Sequence, residues 1–184
     1  LELAGGLGEM VGGAVLNKVG SGILNLSAPA TYTGATTINA VGGEILLSGD
    51  GSLLNTSAIA VNIGGTLSID NRVTANTDRV RNSAAITLAG GGIELIGGAA
   101  AVNEVVGALT TNSNFTSLIT TNSPGAATKL SFASLTRAAN SFLLFNGMSP
   151  STANDLGSAN NQVVFFNPPT NLLLNGILPF AAIR

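Results

Sequence analysis

Gly20-Ser21-Gly22-Ile23-Leu24-Asn25-Leu26 and Gly42-Gly43-Glu44-Ile45-Leu46-Leu47 decide the fold. Each is a glycine turn that runs directly into a short alternating apolar run. Working outward, the same pattern recurs over residues 16–26, 37–47, 60–69 and 86–95, the last being the most divergent. The equivalent apolar pairs are Leu24/Leu26, Ile45/Leu47, Leu67/Ile69 and Ile93/Leu95, and their numbering advances in steps of 21, 22 and 26. Repeats of this length are those of solenoids, in which each unit buries its apolar face against the next.

Within each pair the apolar residues stand at i and i+2, which places both on one face of a strand. Asn25, Leu46, Ser68 and Glu94 fall between them and are expected to face solvent. An amphipathic helix needs apolar residues at i, i+3, i+4 and i+7 without frequent glycine, and these glycines recur too often. A chain of hairpins would call for Asn-Gly or Asp-Gly turns. Asp50-Gly51 and Asn146-Gly147 are the main candidates and are too few. Asn17, Asn39 and Asn62 each precede a glycine turn, where stacked asparagines can bond along a solenoid.

One segment is more specific. Residues 20–27, then Ala30-Thr31-Tyr32-Thr33-Gly34-Ala35-Thr36-Thr37-Ile38-Asn39, then 43–49, form a stretch that resembles the autotransporter-associated β-strand repeat, also called the passenger-associated transport repeat. One clear copy spans roughly residues 20–54, and 61–69 and 86–95 echo its second half. The resemblance implies a right-handed parallel β-helix in secreted or surface-exposed bacterial proteins, many of them very large, and it implies no chemistry. Pro29 departs from the pattern, standing where the repeat usually has a polar residue such as Asn.

After residue 97 the motif is lost, and apolar runs at 105–106, 115–119, 130–135, 142–145, 163–166 and 172–178 still read as strands. All seven phenylalanines, Phe115, Phe132, Phe142, Phe145, Phe165, Phe166 and Phe180, lie here and are expected to widen or cap the same core. The expectation is one all-β domain over 1–184, with clear repeats over 16–95 and divergent rungs or a cap over 97–184. At about 4.8 Å per rung, eight or so rungs make a rod of roughly 40 Å.

Composition agrees. Of 184 residues, 45% are hydrophobic and only 4% aromatic, so Ile, Leu, Val and Ala must fill the core. Twenty-four glycines against 6 prolines indicate many tight turns, and a net charge of −2 with positive mean hydropathy is not that of a disordered chain. Lys18, Arg72, Arg79, Arg81, Lys129, Arg137 and Arg184 are dispersed, so no basic stripe awaits a nucleic acid. Arg72, Arg79 and Arg81 interleave with Asp70 and Asp78 and read as a solvated loop. The apolar stretch 172–183 holds Asn175, Gly176 and Pro179 and is shorter than the roughly 20 residues of a membrane-spanning helix. The sequence starts at Leu1 without a charged-then-apolar leader, which reads as a fragment of a longer repeat protein.

The absence of His and Cys removes Ser-His-Asp triads, cysteine nucleophiles and thiolate or imidazole metal sites. Nine scattered acids leave no evident carboxylate pair for glycoside hydrolysis. The loop 71–77 between Asp70 and Asp78 is a minor candidate for Ca²⁺, with a plain surface loop as the simpler reading. Glu44 and Glu94 take comparable outward positions in separate copies, with Thr66 between them, and read as solubility and edge protection. The triplets at Asn25, Asn55 and Asn114 match a glycosylation acceptor, and in so Asn-, Ser- and Thr-rich a chain carry no weight. No catalytic residue, metal ligand or cofactor is therefore expected. The expected function is a structural spacer or fibre unit at the bacterial cell surface, its partner itself or adjoining repeat units. An adhesin binding surface glycan through the loops 71–77 and 149–161 is the second reading, and a glycan-active enzyme is the third.

Overall fold

The computed structural model describes residues 1–39, 42–149 and 154–184. It is a parallel β-solenoid whose strands lie on three faces, with no α-helix among the described residues. Face one carries eight strands in the order β1 (Glu2–Leu3), β3 (Ile23–Leu26), β5 (Glu44–Leu47), β7 (Thr66–Asp70), β9 (Gly92–Ile96), β12 (Thr116–Asn122), β14 (Phe142–Met148) and β16 (Ala181–Ile183). Every pairing in it is parallel. Face two stacks β2 (Leu16–Lys18), β4 (Thr36–Ile38), β6 (Ala58–Asn62), β8 (Ala85–Ala89), β11 (Leu109–Thr111) and the second half of β13 (Thr128–Arg137).

Face three changes character along the rod. Early rungs touch there through single parallel bridges, Leu7 to Ala30, Pro29 to Ser52 and Leu53 to Val80. Later rungs form a true sheet of β10 (Val102–Val106), the first half of β13, and β15 (Asn161–Asn167). Pro29 is tolerated because its rung needs only a bridge at this corner, not a full ladder.

The register on face one aligns the pairs as the spacing requires. Leu24 lies on Ile45, Ile45 on Leu67 and Leu67 on Ile93, while Leu26, Leu47, Ile69 and Leu95 form the neighbouring inward column. Ile45, Leu47, Leu67, Ile69 and Leu95 are fully buried. Burying each such side chain contributes roughly 1.5–3 kcal/mol, and stacking like on like supplies that burial from the next rung. The outward column differs from expectation at Ser68, which is 2% exposed between Leu46 and Glu94, so the slot is not uniformly solvated.

The second half keeps the repeat in space after losing it in sequence. Ile93 pairs with Ile119 and Ile119 with Phe145, two steps of equal length. Only the last step, from Phe145 to Ile183, is markedly longer. Eight strands at about 4.8 Å make face one about 34 Å tall. Asp50-Gly51 and Asn146-Gly147 are not hairpin turns: the first is a corner between faces one and three, and the second lies inside β14.

The Thr-Tyr-Thr segment earns its specificity in the core. Tyr32 is 3% exposed, and its hydroxyl meets Thr36 Oγ1 at 2.6 Å, which in turn meets Thr56 Oγ1 of the next rung at 2.9 Å. Thr56 Oγ1 donates to the Gly34 carbonyl at 3.0 Å, so the buried hydroxyls satisfy one another across two rungs. Asn39 and Asn62 form the expected ladder, with Asn62 Nδ2 donating to Asn39 Oδ1 at 3.0 Å and Asn39 Nδ2 to Asn17 Oδ1. Phe132 is fully buried and stacks on Phe165 with centroids 5.4 Å apart, while Phe142 and Phe166 remain exposed.

Candidate functional site

The turn from face one to face three lengthens in the third repeat. Leu47 and Leu53 are six residues apart in one rung, while Ile69 and Val80, their counterparts, are eleven apart. The added residues form the loop 71–77, around which three buried charged residues collect, Asp70, Arg79 and Glu104.

Asp70, 9% exposed, turns back on its own loop: Oδ1 accepts the Arg72 backbone N–H at 2.9 Å, and Arg72 Nη2 reaches Oδ2 at 2.7 Å. Asn71 Oδ1 accepts the Asn76 N–H at 2.9 Å and Arg79 Nε at 3.0 Å. Arg79 Nη1 donates to the Gly51 carbonyl at 2.8 Å and Nη2 to the Thr74 carbonyl at 2.7 Å. One guanidinium thus closes the inserted loop and ties it to the rung before. On its other side Glu104 accepts the Arg79 backbone N–H at 3.0 Å and the Val80 N–H at 2.7 Å. Gly51, Arg79 and Glu104 belong to three successive rungs, so the cluster is a polar staple.

This corrects the sequence expectation of a solvated basic loop. Arg72 and Arg81 are exposed, but Arg79 is 0% exposed. The physical reason is that the Thr74 carbonyl of the loop, the Gly51 carbonyl of the rung before and Asn71 Oδ1 converge on one place, and a guanidinium with five donors can satisfy all three at once. Glu104 was not singled out in sequence, although a signal exists. It occupies an inward position in the alternating run of β10, Val102-Asn103-Glu104-Val105-Val106, where an acid is out of place.

Burial works against the charge of Glu104, and two backbone N–H groups and Arg79 favour it; burial wins, and its carboxyl is pushed up to about 7. Burial likewise pulls the Arg79 guanidinium below its ordinary value. Burial and then the neighbouring Glu44 push Glu94 up. Asp70 goes the other way: burial opposes its charge, yet the bonds and charge of Arg72 hold it below the usual carboxylate range.

A pH dependence follows. The unfolded chain ionises Glu104 near the ordinary 4.5 and the folded chain near 7, so the native state holds its proton more tightly. Its contribution is full below pH 4.5 and lost as pH rises to about 7. Thermal melts are expected to show a Tm several degrees higher at pH 5 than at pH 8, and Glu104→Gln is expected to flatten that slope. An unchanged slope in the variant assigns the dependence elsewhere.

The cluster has the form of a structural joint. Asp70 and Asn71 oxygens, which a Ca²⁺ site needs, already accept protein donors, and no group of three acid, His or Cys residues spaced for a metal occurs among the described residues. No family model, curated protein or solved structure matches the chain. Glu44 and Glu94 are not equivalent either. Glu44 pairs with Thr66 and Glu94 with Ser68, two positions along the strand, because Glu44 precedes the column residue Ile45 whereas Glu94 follows its counterpart Ile93.

A cleft of about 410 Å³ lies at the last rung, lined by Phe145, Leu156, Val163, Phe165, Leu178 and Ile183. It is the open end of the core, and most of its lining is apolar. Within the proposed adhesive loop 149–161, residues 150–153 lie outside the described residues. No helix among the described residues is long and apolar enough to cross a membrane.

Proposed function

We propose that this chain is a non-catalytic spacer unit of a bacterial cell-surface protein, a β-helical rod of the autotransporter-associated repeat type. The observation that supports it is the unbroken parallel register of face one through eight strands, with like residues stacked rung upon rung. Such a stack converts chain length directly into distance, about 4.8 Å for every turn of the solenoid. That is the work of a spacer. The internal use of the Asp70, Asn71 and Arg79 side chains also agrees, since the most polar corner is spent on holding the rod together.

Two measurements test the reading. Incubation with a panel of acidic and neutral glycans is expected to yield no cleavage products, and bond cleavage sinks the proposal. Immunogold labelling of the source cells is expected to place the protein outside the envelope, and an exclusively cytoplasmic signal counts equally against it.

A further inference from the structure

The outer side of face one is not flat. Ile93 and Ile119 point into the core, so Gly92 and Glu94 on β9 and Leu118 and Thr120 on β12 face outward. Gly92 stands between Thr66 and Leu118 in one outward column and has no side chain to fill its place. Thr66 and Leu118 are therefore two strand spacings apart, about 9.6 Å, with bare backbone between them. A Cβ at residue 92 would already meet the Leu118 Cβ at 3.4 Å, so a larger side chain there would occupy the gap. The gap opens into a groove of about 250 Å³. Past the turn glycines Gly65 and Gly91 it continues into a second hollow of about 160 Å³, which shares Thr66, Gly92 and Leu118.

The polar side chains of this groove are unspent. Thr120 is only 5% exposed, lines the groove between Glu94 and Asn146 of the flanking rungs, and its hydroxyl has no hydrogen-bond partner among the described residues. The Thr66 hydroxyl and the Glu94 carboxyl have none either. A polar group so far buried ordinarily has a partner, and here the open side is toward the groove. Leu118 and Met148 add exposed apolar walls. No Lys or Arg lines it, and Arg72, whose charge reaches Glu94, is held by Asp70 through its own side-chain hydrogen bonds. The backbone N–H and C=O groups of β7, β9 and β12 are used in the parallel ladder, so an added peptide strand finds nothing to pair with.

We propose that this groove binds a neutral saccharide chain, one ring seated on Gly92 between Thr66 and Leu118 and its hydroxyls on Glu94 and Thr120. A sugar hydroxyl both donates and accepts, which suits a carboxylate that only accepts beside a threonine that does either. The C–H faces of the ring pack on Leu118 and Met148. An acidic glycan meets Glu94, with the charges of Glu44 and Asp70 close by, and is repelled. The groove is smaller than the roughly 300–1,000 Å³ of an ordinary ligand pocket and lies open, so binding is weak for a single chain. The site is on the sheet face, not in the loops 71–77 and 149–161, and it goes beyond the spacer reading without resting on it.

Amide ¹H–¹⁵N NMR spectra of the 184-residue chain, titrated with oligosaccharides to about 10 mM, cover affinities this weak. The probes are uncharged tetrasaccharides of glucose, mannose, galactose and N-acetylglucosamine, with a uronic-acid tetrasaccharide as the acidic contrast. At least one neutral probe is expected to shift the amides of Gly92, Glu94, Leu118 and Thr120 saturably, with a Kd of about 1 mM, and the acidic probe is expected to leave them in place. Glu94→Gln is expected to weaken that binding about tenfold, the scale of a hydrogen bond to a charged group, and Thr120→Val about threefold. Both variants keep the shape of the side chain, and their amide spectra verify the fold. No saturable shift with any neutral probe, shifts centred away from the groove, tighter binding of the acidic probe, or parental affinity in both variants overturns the proposal. Each of these results leaves the spacer reading standing, whereas glycan cleavage counts against the spacer and not against the groove.

Discussion

Arg79→Met is expected to cost about 3–5 kcal/mol, the scale for removing one partner from a buried charged network. Methionine matches much of the arginine volume, so the loss comes from what is left behind. The Gly51 and Thr74 carbonyls lose their donor in a place largely closed to water, Asn71 Oδ1 keeps only the Asn76 N–H, and Glu104 loses the favourable charge of Arg79. Urea unfolding followed by far-UV circular dichroism measures the effect as a shift in midpoint. Arg79→Lys is expected to recover less than half of it, because one ammonium does not span three acceptors set around a planar fork. A midpoint shift under about 1 kcal/mol for Arg79→Met removes the staple as a stabilising device.

Gly51→Ala is expected to be comparably severe, at about 3 kcal/mol or more, beyond the usual range for overpacking. A Cβ at this position lands on the Leu26 carbonyl oxygen of the rung before and lies 2.9 Å from the Ser48 carbonyl. Both obstacles are backbone, so neither swings aside as a side chain would. Relief requires two rungs to separate at the corner, and the Gly51 carbonyl that holds Arg79 moves with them. The two substitutions are therefore coupled, and the double variant is expected to lose less than the sum of the singles. Gly20→Ala makes the contrast: nothing stands within 4 Å of its Cβ, and its positive φ of 74° alone gives a smaller loss, about 1 kcal/mol.

The first half of the solenoid was legible because its turns repeat. A glycine turn followed by apolar residues at i and i+2 fixes which residues stack, and Leu24, Ile45, Leu67 and Ile93 fall on one another as their offsets require. The second half was not legible in the same way. Ile93, Ile119 and Phe145 keep a constant step, but aliphatic and aromatic residues replace one another inside and the glycines that marked each rung are gone. Face three shows the same limit: single bridges such as Pro29 to Ser52 leave almost no periodic trace in sequence.

The polar corner marks the boundary between the two sources of information. Local sequence determined strands, turns, the absence of His and Cys chemistry and the repeat length, because these depend on residues a few positions apart. Only the tertiary structure decided that Arg79 is buried while Arg72 is exposed, and that Glu104 of the next rung meets the Arg79 backbone. Charge placement depends on which backbone carbonyls and N–H groups an inserted loop leaves unpaired. That follows from how successive rungs meet at the corner, a relation between residues a full turn of the solenoid apart.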